Sequence, residues 1–497
     1  MTTTSRIAAI TGVSALLSIA AVGVALPAFA APGSGGTGTI TVHKFEQPLS
    51  GDLGEADGSE LTVPSDATAL AGVGFRFCVI DDVDLSVASD WDRLKDITAT
   101  VDAGGDLVVT EAPATTLTTT CGAEVLTDAD GAAPSPALPA DRAYVVYEST
   151  PPADAIYTMQ PTLVTVPFPG NGTGDAWNYH PHLYPKNVLA GSGATKNGTI
   201  VGGKVTFDVT VPINNLGLDE TTTPPSPKSY TQLQVEDQLS GALTYTGASV
   251  VLLDPDGDEV AIASPGDYTL TESGGLVTLT FASPQGLALL DANVGGSVVL
   301  TIAADASATG TTANTATITI NGVGSDVEVV DPESFFSGAH VVKEAQNRGA
   351  ASTVPLAGAG FTLFTRDGLT TCPADVAAAE ADATLATVDT GAAPFVSAAD
   401  GSTPEIVLAE GAYCVYETTV PAGYKGQTTG SLLTVSGEGA STTLVNTQMG
   451  ADEGDLPGLP ITGSNGRLLL TIGGTALILT ALGLVLARRR REARQQS

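Results

Sequence analysis

The chain has 497 residues, 43% of them hydrophobic, with 57 Gly and 30 Pro. That is enough for about three domains with real cores, and the Gly and Pro content stays below that of a disordered polymer. Only 15% of residues are charged and the formal net charge is -34, which excludes a nucleic-acid binder, because phosphate recognition needs basic patches.

The charge is unevenly placed. Arg6, Arg467, Arg488, Arg489, Arg490, Arg491 and Arg494 fall in the two end segments together with Glu492, so the -34 of the whole chain becomes about -40 for the body between them. Such a body is soluble and self-repelling, and end-to-end assembly would call for strong or covalent joints. Lysine is scarce, at positions 44, 95, 186, 196, 204, 228, 343 and 425, so each placement carries information.

In chain order, residues 1–30 read as a signal peptide. Arg6 supplies a positive start, Ile7 to Leu26 is apolar and small, and Ala28-Phe29-Ala30 is an A-x-A cleavage site before Ala31. Residues 31–187 form a first unit that begins with the β-type run Thr41-Val42-His43-Lys44. The middle stretch, 188–332, has period-2 runs such as Lys204 to Val211, Val235 to Leu239, Gly295 to Ile302 and Thr315 to Ile320, separated by Gly, Asp and Pro turns. Lys204, beside the Gly202-Gly203 turn, is expected to face solvent.

Residues 333–447 repeat the first unit in order. Leu356 to Phe361 matches Leu70 to Phe75, Ala412 to Thr419 matches Ala143 to Thr150, and His340-Val341-Val342-Lys343 matches the opening run. Helix signals are weak between the ends, with Ala374 to Ala386 the exception. The pattern predicts an all-β chain of three tandem immunoglobulin-like sandwiches.

Four cysteines in a secreted chain, Cys78, Cys121, Cys372 and Cys414, suggest two disulfides. Pairing within units gives Cys78–Cys121 and Cys372–Cys414. No CxxC or His cluster suggests a metal site, and nothing implies a cofactor. Residues 448–458 read as an acidic Gly/Pro linker. The end, 459–497, opens with Leu459-Pro460-Ile461-Thr462-Gly463, continues through twenty apolar or small residues from Leu468 to Ala487 that would span a bilayer, and closes on Arg488 to Arg491.

This tripartite order resembles the cell-wall sorting signal of Gram-positive surface proteins. The resemblance implies cleavage between Thr462 and Gly463 by a sortase cysteine and transfer of the Thr462 acyl group to an amine, with this chain as substrate rather than enzyme. Trp177 followed by Tyr184-Pro185-Lys186-Asn187 resembles the pilin motif of sortase-assembled shaft pilins. Its Trp-to-Lys spacing fits, while Pro181 and Leu183 stand where two valines would be. It implies that Lys186 of one copy captures Thr462 of another.

The first and third units resemble Cna protein B-type domains, in which a lysine, a Y-x-x-x-E glutamate and a terminal-strand asparagine form an internal isopeptide bond. The corresponding residues are Lys343, Glu417 and Asn446 in the third unit, with the run Tyr413 to Tyr424 as its E-box. In the first they are Lys44, Glu148 and Asn187, where Pro151-Pro152 loosen the pattern. The middle unit resembles the A-type, which uses aspartate, with Lys196, Asp237 and Asn314. The chemistry needs burial, which drives an ammonium toward the neutral amine and a carboxyl toward its protonated form. The amine can then attack the amide carbonyl while the acid moves the proton.

Together these resemblances imply a secreted structural shaft subunit of a cell-wall fimbrium. Its partners would be identical pilin subunits, a class C pilus sortase and a housekeeping sortase, tip or base pilins, and peptidoglycan. A monomeric wall-anchored adhesin is the alternative, and only Lys186 in its motif separates the two. No G-x-S-x-G or H-E-x-x-H motif marks a hydrolase.

Overall fold

A computed structural model describes residues 32–450, apart from 48–56, 66, 103, 171–176, 220–221, 223, 329–333, 392–393 and 438. The expected signal peptide, the Leu459 to Gly463 motif and the apolar run 468–487 lie outside the described residues. Among the described residues no helix is long and apolar enough to cross a membrane.

Alternation writes the strands. In Lys204–Pro212, Val205, Phe207, Val209 and Val211 point inward while the intervening Thr and Asp residues stay wet. Ser297–Ala306 buries Val298, Leu300, Ile302 and Ala304 in the same way. Each buried aliphatic or aromatic side chain contributes about 1.5–3 kcal/mol, and a one-residue slip would turn the whole set to solvent.

Three β-sandwich bodies follow one another. In the first, a sheet of Thr162–Val166, Arg142–Thr150, Gly74–Asp84 and Thr119–Cys121 faces two smaller sheets built on the N-terminal strands. There, Thr41–His43 and Phe45–Glu46 run parallel to His182–Leu183 and Lys186–Leu189. The strand Lys186–Leu189 also pairs with Ala155–Tyr157, so this sheet continues two residues past 187. The second body packs the sheet of Thr195–Val201, Lys204–Pro212, Ser297–Ala306 and Leu243–Leu253 against that of Leu276–Phe281, Leu233–Gln238, Thr315–Ile320 and Val323–Glu328. The third repeats the first: its opening strand Phe335–Gln346 lies parallel to its closing strand Ala440–Gln448, opposite Gly360–Thr365, Gly411–Thr419 and Ser431–Val435.

The repeat extends to a buried tyrosine corner. The Tyr144 hydroxyl donates to the Pro139 carbonyl and the Tyr413 hydroxyl to the Ala409 carbonyl, both at 2.7 Å. The disulfides are Cys78–Cys121 and Cys372–Cys414. Each closes a loop of about forty residues, a constraint of roughly 4 kcal/mol on the chain-entropy model. The helix expected over Ala374 to Ala386 is the short Val376–Ala381, whose first turn is capped by Asp375. Two further helices, Ala88–Arg93 and Pro284–Ala292, were not expected.

The bodies are joined by packing as well as by chain. Val188 from the first and Phe336 and Ala409 from the third enter the core of the second. The Gly202-Gly203 turn docks on the third body. The Ala409 N–H donates to the Gly202 carbonyl at 2.9 Å, and a Cβ on Gly203 would lie 2.6 Å from the Val407 carbonyl oxygen. Gly203→Val is therefore expected to pry this junction open while both flanking sandwiches stay folded. Small-angle scattering should show a broader distribution of particle dimensions than in the wild type; an unchanged profile would contradict the account.

Candidate functional site

The sequence-predicted lysines, acids and asparagines come together as full triads in the first and third bodies, and in the second the structure brings Lys196 to Asp237. In the third body, parallel pairing of the first and last strands sets Ala345 opposite Asn446, so Lys343 and Asn446 lie side by side on the core face of one sheet. Glu417 reaches them from the opposite sheet. Lys343 Nζ lies 3.0 Å from Glu417 Oε2 and 2.5 Å from Asn446 Oδ1, and Asn446 Nδ2 donates to Glu417 Oε1 at 2.7 Å. The Gln427 N–H closes the carboxylate at 3.3 Å. Lys343, Asn446 and the Glu417 side chain have no exposed surface.

The first body builds the same triangle. Lys44 Nζ is 3.0 Å from Glu148 Oε2 and contacts Asn187 Oδ1, while Asn187 Nδ2 donates to Glu148 Oε1 at 2.6 Å. The Met159 N–H takes the place of Gln427's. Lys44 and Asn187 are fully buried, so the looser E-box does not disturb the geometry.

The second body differs. Lys196 is on one sheet and Asp237 on the other, with Asn314 just ahead of the second sheet's Thr315–Ile320 strand. Lys196 Nζ lies 2.5 Å from Asp237 Oδ2, but out of line for a hydrogen bond, and both polar atoms of the Asn314 side chain are buried without a partner. The contact alone therefore does not satisfy the site; a buried amide left in this state costs about 1–3 kcal/mol. Lys204 faces solvent as expected, bridging Asp305 at 2.8 Å and Asp389 at 3.4 Å.

Each lysine sits against an aromatic face: Phe75 at 5.9 Å for Lys44, Phe207 at 5.0 Å for Lys196 and Phe361 at 5.9 Å for Lys343. Burial outweighs the neighbouring carboxylate in all three and lowers the lysine pKa, for Lys44 to about 8. In the first and third bodies an amine shifted toward its neutral form lies on the carboxamide of an asparagine beside a carboxyl group, an arrangement suited to amide exchange. The Lys Nζ–Cγ bond would form, the Cγ–Nδ2 bond would break, and ammonia would leave with the amine's proton.

The fourth predicted position lies one residue from the first triad. The ladder from the N-terminal strand runs along the whole segment, with Thr39, Thr41, Phe45 and Gln47 N–H groups donating to the carbonyls of Tyr179, Pro181, Pro185 and Asn187. Strand alternation then sends Asn187 into the core and Lys186 to the other face, where it is half-buried. Trp177 packs against Trp91 with ring centroids 5.3 Å apart and the planes tilted by 54°. The Tyr184 hydroxyl accepts the Leu61 N–H at 2.7 Å.

Beside this segment opens a cleft of about 960 Å³, lined by Pro181 to Pro185, Leu163, Leu218 and Lys228 among others. Three strands on its walls, Ile97–Val101, Thr162–Val166 and His182–Leu183, are each at the edge of their sheet. The contacts from Met159 and Gln427, and the cleft itself, had no signal in the sequence reading.

Three stretches of the chain match known protein families. Residues 35–188 match the Gram-positive pilin subunit D1, N-terminal domain. Residues 345–448 match the prealbumin-like fold domain, and 452–493 match the LPXTG cell wall anchor motif. The fimbrial subunit type 2 of Actinomyces naeslundii is 27% identical over 92% of this chain and 90% of its own. The fimbrial subunit type 1 of Actinomyces viscosus is 25% identical over 91% and 90%. The full-length major pilin SpaD from Corynebacterium diphtheriae shares the fold with a TM-score of 0.52 at 20% identity, covering 83% of this chain and 98% of that one. The fimbrial protein FimP of Actinomyces oris does so with a TM-score of 0.50 at 22% identity, over 83% and 98%.

Proposed function

We propose that this chain, an LPXTG-anchored Gram-positive pilin of the pilus shaft and not an enzyme, is polymerised through an amide between Lys186 of one copy and Thr462 of the next. The observation that carries the reading is the alternation at 186–187. Asn187 is locked into a buried triad, which turns the neighbouring Lys186 side chain to the opposite face of a strand whose preceding residues, Pro181 to Pro185, line a cleft. A pilus-class sortase would cleave Thr462–Gly463, hold the Thr462 acyl group as a thioester, and release it to the Lys186 amine as the thiolate leaves. The cleft, walled by three sheet edges, suits an extended peptide, which would add to an edge by main-chain hydrogen bonds. The stretch 449–462 that ends on Thr462 would supply such a peptide, with Pro457 and Pro460 favouring extended backbone. A housekeeping sortase would join the last subunit to peptidoglycan, and tip or base pilins would enter through the same pair of groups.

Wall extracts are expected to contain a detergent-resistant ladder of high-mass species, and Lys186→Ala should collapse it to a single wall-linked band. A ladder that survives the substitution would contradict the proposal, and a single band in the wild type would favour the monomeric adhesin.

We further propose that the three triads close as internal amides. The intact mass of the folded body, beyond the loss for two disulfides, should then be low by three ammonias. Glu417→Ala should restore one of them. It should also remove about 5 kcal/mol of loop constraint and lower the melting temperature of the third body by on the order of 20 °C. A wild-type mass equal to the uncross-linked sequence would sink this part.

The lowered Lys44 pKa sets the pH course of its reaction. The reactive amine is scarce below about 8 and dominant above it. In chain refolded from denaturant, ammonia loss at the Lys44–Asn187 pair should rise about tenfold per unit of pH up to that point and then level. A rate indifferent to pH would contradict it.

A further inference from the structure

Histidine is rare in this chain, with four in 497 residues, and three of them meet on the strand pair that carries Lys186. His180 Nδ1 lies 2.8 Å from the Thr39 hydroxyl. His43 Nε2 lies 2.8 Å from His182 Nδ1, the two rings stacked at 13° with centroids 5.1 Å apart. The ring of Tyr184 also stacks on His43, at 4.8 Å and 8°. His182 and Leu183 pair with Thr41 and Val42, Lys186 pairs with Phe45, and between them the Phe45 N–H reaches the Pro185 carbonyl at a long 3.2 Å. Pro185 between them has no N–H. The side-chain stack His182–His43–Tyr184 therefore braces this weakly paired stretch just ahead of Lys186.

We propose that the His43–His182 pair is a positioning latch for the Tyr184-Pro185-Lys186 segment, closed near neutral pH and released in mild acid. The inference rests on the reading of Lys186 as the polymerising amine. A hydrogen bond between two imidazole nitrogens needs one N–H and one lone pair. A first added proton can go to an outward nitrogen, or leave one ring cationic and still donating. A second removes the last acceptor and sets two cations ring against ring.

The charged and titratable groups facing His43 are His182 and Tyr184 from the pilin-motif strand, Glu60 from the 57–61 segment and Asp128 from the turn before Ala132–Pro134. Glu60 and Asp128 favour the proton. Burial and the second imidazole oppose it, and their sum leaves the His43 pKa below its ordinary value of 6.5. Because the folded form resists protonation, the latch contributes fully at neutral pH, and its contribution begins to fall below about 6.5 and is lost as pH drops through the lowered His43 pKa.

The test is amide exchange of residues 178–187 in the full-length subunit at about pH 7.5 and about pH 5, each rate normalised to the unstructured peptide at the same pH. Wild type should lose roughly fivefold to tenfold in protection on acidification, the weight of one hydrogen bond. His43→Gln keeps a donor for His182 Nδ1 but titrates no proton. It should match wild type near neutrality and lose most of the acid response, and His182→Gln serves if that variant is poorly folded. The rate at which the pilus sortase joins subunits, taken as wild type over His43→Gln, should fall at about pH 5 in the same proportion. Wild-type protection that ignores pH, or an acid response in the histidine variants as large as in the wild type, would overturn the latch. Polymerisation that persists in Lys186→Ala would instead overturn the reading of Lys186, and with it the positioning role, while leaving the exchange result standing.

Discussion

The structure turns on three lysines buried in apolar cores. An ammonium taken into an apolar core costs several kcal/mol even beside a carboxylate, and such pairs often add nothing net to stability. Three of them, each on an aromatic face, would be a poor way to hold three sandwiches together if the contacts stayed ionic. Placed on an asparagine carboxamide, the same burial becomes useful, because it shifts the amine toward the neutral, nucleophilic form. Desolvation that weakens a salt bridge strengthens a nucleophile.

That placement follows from topology. In the first and third bodies the opening and closing strands are parallel neighbours, so a lysine early in the unit and an asparagine at its end meet on one sheet, and the acid comes from the other. In the middle body the lysine and the asparagine belong to different halves of the sandwich, and a bond there would staple the two layers. In a shaft joined from Lys186 to Thr462, tension would enter at 186 and leave at 462. Bonds at 196–314 and 343–446 would let it bypass the interior of the second and third bodies. The first body would hang beside the line of force, tied to it at Asn187, and the same residue that anchors it would set the direction of Lys186.

Much of this could be read from the chain. Residue scarcity made the lysines legible, and the twice-repeated order of Lys-strand, Y-x-x-x-E and Asn gave both B-type triads because strand order, not fine geometry, brings them together. Lys196 could be preferred to Lys204 because a residue beside a Gly-Gly turn is an unlikely core position, and its exposure agrees. Local signals read less well. Pro284–Ala292 was missed although Ser283 followed by Pro284 is a helix start, and the short Ala88–Arg93 has neither a side-chain cap nor a buried residue. The His43–His182–Tyr184 stack was illegible because it depends on a parallel register between segments about 140 residues apart, which no local pattern encodes. The cleft was hidden for the same reason, since its walls come from edges of three different sheets.

The central claim is that the amine at position 186 becomes the acceptor of a severed threonine end from a neighbouring copy. Tandem mass spectrometry of protease-digested pili from cell walls tests it most directly. The account predicts a branched peptide in which the Lys186 side chain is amide-linked to a peptide ending at Thr462. Recovery of the same lysine only as an unmodified residue, with Thr462 joined elsewhere, would contradict it.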